Sequence, residues 1–188
     1  NSFPNQFMRI RKDKKMNNKY YEKIDYELLD EKTAYHGKRI TVEELHYKNP
    51  RTNQMIYREH VLAGNAAIIV PVTDDGNFIM IREPRTPIGL KVLAFPAGMI
   101  EKGETAEEGA IRELEEETGY RAEYIKKMFE VYTEIGYSDE KIEIFLAKNL
   151  KYTHRHLDET EDIEVVRVPI EDAKEMLRKN EIITSTET

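Results

Sequence analysis

The chain has no cysteine. That rules out a disulfide framework and any thiolate chemistry. No run of about eighteen apolar residues occurs, so no transmembrane helix is indicated and no membrane partner is expected. Nor does the beginning show the basic, apolar and small-residue order of a signal peptide, and a cytoplasmic protein is expected. An excess of positive charge is also missing. The formal net charge is -7, which argues against a general nucleic-acid binder, for which a basic face is needed. An anionic substrate is still compatible, because an acidic protein can hold phosphate through a metal or a few placed arginines. Internal repeats, low-complexity tracts and the loop spacing of an EF-hand are absent as well.

What is present is a chain of 188 residues, 35% of them charged. This predicts one domain of ordinary size with a well-solvated surface, long enough to bury a core. Residues 1–19 are polar and largely basic and read as an arm, with Met8 or Met16 as a natural start. Residues 20–63 hold short alternating runs and read as a small antiparallel section; Ile40, Val42 and Leu45 suggest a strand there, and "KNPRTNQ" a turn. Residues 64–180 read as the main domain and 181–188 as a tail. In the main domain "AAIIVPVT" is a strand buried on both faces. With "FIMIREP" across "DDGN" it is expected to form a hairpin. "VLAFPAGMIE" reads as a further strand that ends in a loop, followed by an acidic helix, two strands, a last core strand "DIEVVRVP" and a closing helix "IEDAKEMLRKN". The predicted class is α+β, a mixed sheet between helices in an α/β/α sandwich.

The acidic helix is the informative segment. Thr105 and Glu108 have the spacing of a capping box, and Gly119 suits a left-handed stop, so the helix is predicted over 106–118. At about 100° per residue, Ala110, Ile111 and Leu114 face the core. Glu113, Glu116 and Glu117 share the adjoining edge, Glu117 partly shielded, while Glu107 and Glu115 point to water. A solvated acidic face is one account of this edge. The other is a divalent cation that relieves the repulsion and desolvation of three neighbouring carboxylates; oxygen donors suit Mg²⁺ or Mn²⁺.

The wider pattern decides between them. Gly98, Glu104, Arg112, Glu113, Leu114, Glu116, Glu117 and Gly119 fall at the spacing of the Nudix box, with Tyr120 where an aliphatic is usual. The chain therefore resembles the Nudix hydrolases. "REPR" from Arg82 to Arg85, Pro96-Ala97-Gly98 before the box and the β-rich section at 20–63 resemble the branch that hydrolyses ADP-ribose and nucleoside diphosphate sugars. Two departures stand out. Glu83-Pro84 replaces the branch's Gln-Tyr, and Glu134-Ile135-Gly136 replaces its Ser-Pro-Gly.

The resemblance implies Mg²⁺-dependent (or Mn²⁺-dependent) hydrolysis of a diphosphate bond, giving a nucleoside monophosphate and a sugar phosphate. Alternatives are a Nudix enzyme acting on a dinucleoside polyphosphate, a nucleoside triphosphate or capped RNA, and a non-catalytic nucleotide sensor. It implies Glu113, Glu116 and Glu117 as metal ligands, with the carbonyl of Ala97. Arg112 is expected to pair with Glu104 and brace the loop; Gly98 and Gly119 are structural. Glu140 is the expected general base or late metal ligand, on a loop made mobile by Gly136, Ser138 and Asp139, with Glu134 and Asp139 as competitors. Arg85, and then Arg82, are expected to bind the substrate. Tyr47 and Tyr57 could stack on a base, although packing is the commoner role. His154 and His156 are expected in a solvated loop rather than on a metal. The branch also implies a homodimer through residues 20–63.

Overall fold

A computed structural model describes residues 22–157 and 162–182. The arm at 1–19, with Met8 and Met16, lies outside the described residues, as does most of the tail. The described chain divides into two compact units, with breaks after residues 31, 44 and 58. Strands β1 (Glu27–His36), β2 (Thr41–Lys48) and β3 (Met55–Leu62) form one sheet in the order β1-β2-β3. On β2 the buried positions alternate as Glu43, Leu45 and Tyr47. The strand expected from Ile40, Val42 and Leu45 is present; Val42 lies on the opposite face from Leu45, because strand side chains change face at every residue, and Ile40 is exposed ahead of it. The turn after β2 closes on Asn49, whose backbone N–H donates to Gln54 O at 2.9 Å.

In the larger unit, β4 (Asn65–Pro71) lies inside a four-stranded sheet of order β7-β4-β9-β8. It runs antiparallel to β7 (Ala97–Met99) and parallel to β9 (Lys141–Tyr152); β8 (Tyr120–Tyr132) closes the other edge antiparallel to β9. The uninterrupted apolar run follows from that position. Ala67 and Ile69 pack on one face with Phe145, and Ile68 packs on the other with Ile142 and Ile144. A second, antiparallel sheet has the order β10-β5-β6, from β5 (Asn77–Arg85), β6 (Leu90–Ala94) and β10 (Glu164–Pro169).

The expected β4–β5 hairpin does not form. A turn closes between Thr73 and Asn77, and Val72 bridges Phe78, but the two strands then enter different sheets. Both edges of β4 are already taken by β7 and β9, so β5 has nothing to pair with there. In "VLAFPAGMIE" the part expected as a loop after the strand holds a second short strand, β7. The chain leaves β6 at Ala94, passes Phe95 and Pro96, and joins the other sheet as β7. Pro96 has no N–H to continue a ladder, and its carbonyl accepts from Ile69 N at 2.9 Å.

Helix α1 runs over Ala106–Thr118. Its capping box is complete, with Thr105 N donating to Glu108 Oε2 at 2.7 Å and Glu108 N to Thr105 Oγ1 at 3.2 Å. Gly119 ends it at φ 77°. Ala110 and Leu114 are fully buried against Ala67, Ile69 and Phe145; burial of a leucine of this kind contributes about 1.5–3 kcal/mol. Ile111, expected beside them, is only half-buried and lines an outer groove. Helix α2 (Ile170–Arg178) follows β10 and has no fully buried residue.

Candidate active site

The fixed ends and buried stripe of α1 set which side chains meet β7. Glu117 is 5% exposed, and its Oε2 accepts from Ala97 N at 2.9 Å. One turn earlier, Glu113 lies against Gly98. A Cβ on Gly98 would stand 2.0 Å from both Cδ and Oε1 of Glu113, so glycine is needed there for close approach and not for an unusual φ.

Arg112 occupies the middle of the acidic edge. Its Nη2 donates to Glu104 Oε1 at 2.8 Å and to Met99 O at 3.0 Å, and its Nε to Glu104 Oε2 at 3.3 Å. Its Nη1 donates to Glu113 Oε1 at 2.7 Å and Glu116 Oε2 at 2.9 Å. Glu104 also accepts from Glu101 N at 2.6 Å. The bonds to Glu104 hold the guanidinium above its ordinary range; burial opposes this, and Glu113 and Glu116 add to it. The reciprocal bond from Arg112 holds the Glu104 carboxyl below its usual value against desolvation. The brace expected between Arg112 and Glu104 is thus accompanied by a grip on Glu113 and on Glu116, the latter at i,i+4. Like charges one turn apart repel by about 0.2–0.5 kcal/mol per pair, and the guanidinium offsets that repulsion.

The donor chemistry fits a hard divalent cation. Glu113, Glu116, Glu117 and the Ala97 backbone offer oxygen only, and the glycine at 98 leaves a carboxylate space where a side chain would otherwise stand. Among the described residues, no three acidic, histidine or cysteine side chains already converge as a metal cage; Arg112 lies between the carboxylates instead.

Elsewhere the structure revises several expectations. Glu115 does not simply point to water: its Oε1 accepts from Thr153 Oγ1 at 2.8 Å, and its Oε2 is 3.4 Å from Arg121 Nε. His154 and His156 lie in an exposed loop, as expected, and its backbone is tied to the helix where His156 N donates to Glu116 O at 3.1 Å. The two imidazoles are exposed, with centroids 6.5 Å apart. Arg155, which sequence reasoning passed over, donates from Nε to Glu117 O at 2.7 Å. The available signal was a helix with no basic residue in its last turn. An open groove of about 610 Å³ runs along the outer face of α1, past Glu108, Ile111, Glu115 and His156.

Glu140 is partly buried, and its Oε2 accepts from Thr133 Oγ1 at 2.7 Å. The loop before it is less free than expected. Val61 N donates to Tyr137 O at 2.7 Å, and Ala63 N to Asp139 Oδ1 at 3.2 Å. That engages Asp139, while Ile135, at 83% exposure, stands at the tip of a turn closed by Tyr137 N and Ser138 N on Glu134 O. On β5, Arg82 pairs with Glu164 at 2.6 Å and Arg85 with Glu83 at 2.5 Å, all beyond or at the end of the β10 register. Tyr47 is buried and packs near Tyr26 at 6.4 Å between centroids; Tyr57 is exposed beside His46 at 5.3 Å.

Comparison with known proteins places the chain in a family. The model of the NUDIX domain matches residues 63–185. An ADP-ribose pyrophosphatase of Bacillus subtilis is 39% identical over 82% of this chain and 86% of its own length. A methanol dehydrogenase activator of Bacillus methanolicus is 30% identical over 78% of this chain and 79% of its own. The crystal structure of an ADP compounds hydrolase superposes with a TM-score of 0.75 at 27% identity, covering 84% of this chain and 85% of that one.

Proposed function

The chain belongs to the Nudix family, and from that premise we propose that it hydrolyses the diphosphate bond of ADP-ribose or a related nucleoside diphosphate sugar. The products are a nucleoside monophosphate and a sugar phosphate. The observation that carries this is the pairing of Glu113 over Gly98 with Glu117 on Ala97 N–H, in a chain similar along most of its length to an ADP-ribose pyrophosphatase.

Glu113, Glu116, Glu117 and the Ala97 carbonyl would hold Mg²⁺ or Mn²⁺. Bound there, the cation would neutralise the diphosphate and lower the pKa of the attacking water. Arg112 and Glu104 keep the loop after β7 against α1 and so hold the carboxylates in register. Glu140, oriented by Thr133, takes the proton of the attacking water. Arg85 and Arg82 bind the substrate by exchanging their acidic partners Glu83 and Glu164 for phosphate or sugar hydroxyls. The protein acts as a homodimer through residues 20–63, in the cytoplasm; among the described residues no helix is long and apolar enough to cross a membrane.

The test is product identification with Mg²⁺ and a panel of ADP-ribose, UDP-glucose, GDP-mannose, diadenosine polyphosphates and nucleoside triphosphates, for wild type and Glu117→Gln. Wild type should release AMP from ADP-ribose, and the variant should retain its fold with turnover lowered at least about a hundredfold, or roughly 2.7 kcal/mol of barrier. Near-normal turnover in Glu117→Gln would overturn the metal assignment. Cleavage confined to triphosphates would overturn the substrate class.

A further inference from the structure

Helix α1 has no basic residue in its last turn, although its C-terminal carbonyls carry the negative end of the helix dipole and need donors. The donors arrive from a distant part of the chain. Thr153 N donates to Gly119 O at 2.7 Å, and His156 N to Glu116 O at 3.1 Å. Between them, Arg155 Nε donates to Glu117 O at 2.7 Å, across 38 residues of sequence. The same guanidinium donates through Nη2 to Ile163 O. Ile163 is buried with Ile81 of β5 and Ala94 of β6.

Arg155 therefore joins the main chain of Glu117 to the antiparallel sheet, while the Glu117 side chain reaches Ala97 N–H beside β7. The position of the Glu117 backbone decides where its carboxylate lies, and a displacement of about 1 Å costs on the order of a hundredfold in a reacting site. We propose that Arg155 is a positioning residue for the divalent-cation site, acting through Glu117. Two carbonyls on different elements require two donors in a fixed plane, which a guanidinium offers and an ammonium does not. This inference rests on the reading of Glu117 as a cation ligand.

The probe is Mn²⁺ alone, titrated into the full chain and followed by the electron paramagnetic resonance of the free ion, with thermal midpoints measured in parallel. Arg155→Ala should weaken Mn²⁺ binding about tenfold and raise the Mg²⁺ needed for half-maximal turnover. KM for substrate at saturating cation should stay unchanged. Arg155→Lys should fall between Arg155→Ala and wild type, and it carries the test if the alanine variant does not fold. Thr153→Val removes hydroxyl bonds to Glu115 and Gly119 from the same helix end; it should lower the thermal midpoint and leave Mn²⁺ affinity unchanged. Wild-type Mn²⁺ affinity in both Arg155 variants overturns the proposal. So does a loss in Thr153→Val equal to that in Arg155→Ala, which would make the segment a general strut. Glu117→Gln separates the two readings. If it binds Mn²⁺ as wild type does, the ligand assignment has failed; if it alone loses Mn²⁺, only the role of Arg155 has failed.

Discussion

Gly98→Ala should separate activity from stability. The added Cβ would lie 2.0 Å from Glu113 Cδ and Oε1 and 2.5 Å from Oε2, well inside any tolerable contact. The obstruction is the end of a flexible side chain, so Glu113 turns away and the backbone stays. Turning away gives up its 2.7 Å bond to Arg112, a charged hydrogen bond worth about 1.5–3 kcal/mol at most in a site that is partly open to water. Against that, alanine restricts the unfolded chain at a residue of ordinary φ, a gain of about 0.4–1 kcal/mol. The net loss is about 0.5–2.5 kcal/mol. For a chain of this size each kcal/mol moves the thermal midpoint about 2–4 °C, so the fall should stay within about 10 °C. Turnover with Mg²⁺ should drop about a hundredfold or more, since Glu113 would leave the cation edge; that equals roughly 2.7 kcal/mol of barrier. Calorimetry and steady-state release of AMP from ADP-ribose measure the two quantities. A stable Gly98→Ala protein with wild-type kcat/KM would refute the reasoning, because Glu113 would then be dispensable where the geometry puts it.

Two further outcomes are expected. The Glu104 carboxyl is held below its ordinary 4.5 chiefly by Arg112; its contribution to stability is therefore complete above about pH 4.5 and is lost as pH falls below that value. Urea midpoints between pH 5.5 and pH 3 (values chosen to span about one unit either side of the ordinary carboxyl pKa) should show this decline, and Glu104→Gln should flatten it; an equally steep curve in the variant would count against the pairing. Multi-angle light scattering should give twice the monomer mass for the full chain, and a monomer at micromolar concentration would rule out the proposed dimer.

The legible parts of the chain were the local ones. Thr105, Glu108 and Gly119 fixed the ends of α1 from within the helix itself, because capping is decided over a few residues. The alignment of Glu113, Glu116 and Glu117 along one edge followed from helical period for the same reason. Failures came where distant strands competed for partners. The turn at 74–77 was visible, but that β4 had both edges occupied by β7 and β9 was not. Phe95-Pro96 gave a proline signal, yet the change of sheet depends on Ile69 N donating to Pro96 O. Arg155 and Thr153 could not be assigned to the helix end without the long return of the chain through β9. Arg112 was read as a partner of Glu104 alone, although Glu116 stands four residues on along the same helix face; the long guanidinium spans Glu104, Glu113 and Glu116.

That span bears on how the protein comes into being. A helix whose acidic edge depended wholly on cations could not fold until they bound, as happens in small domains where metal and fold are one equilibrium. Arg112 acts as a resident counter-ion, synthesised with the acids it quiets and held by three bonds to Met99 and Glu104 ahead of the helix. On the proposed reading of that edge as a cation site, it would assemble in a cell starved of divalent metal and take up cations later without refolding. Scarcity of metal would silence such an enzyme without destroying it, and supply would restore it without new synthesis.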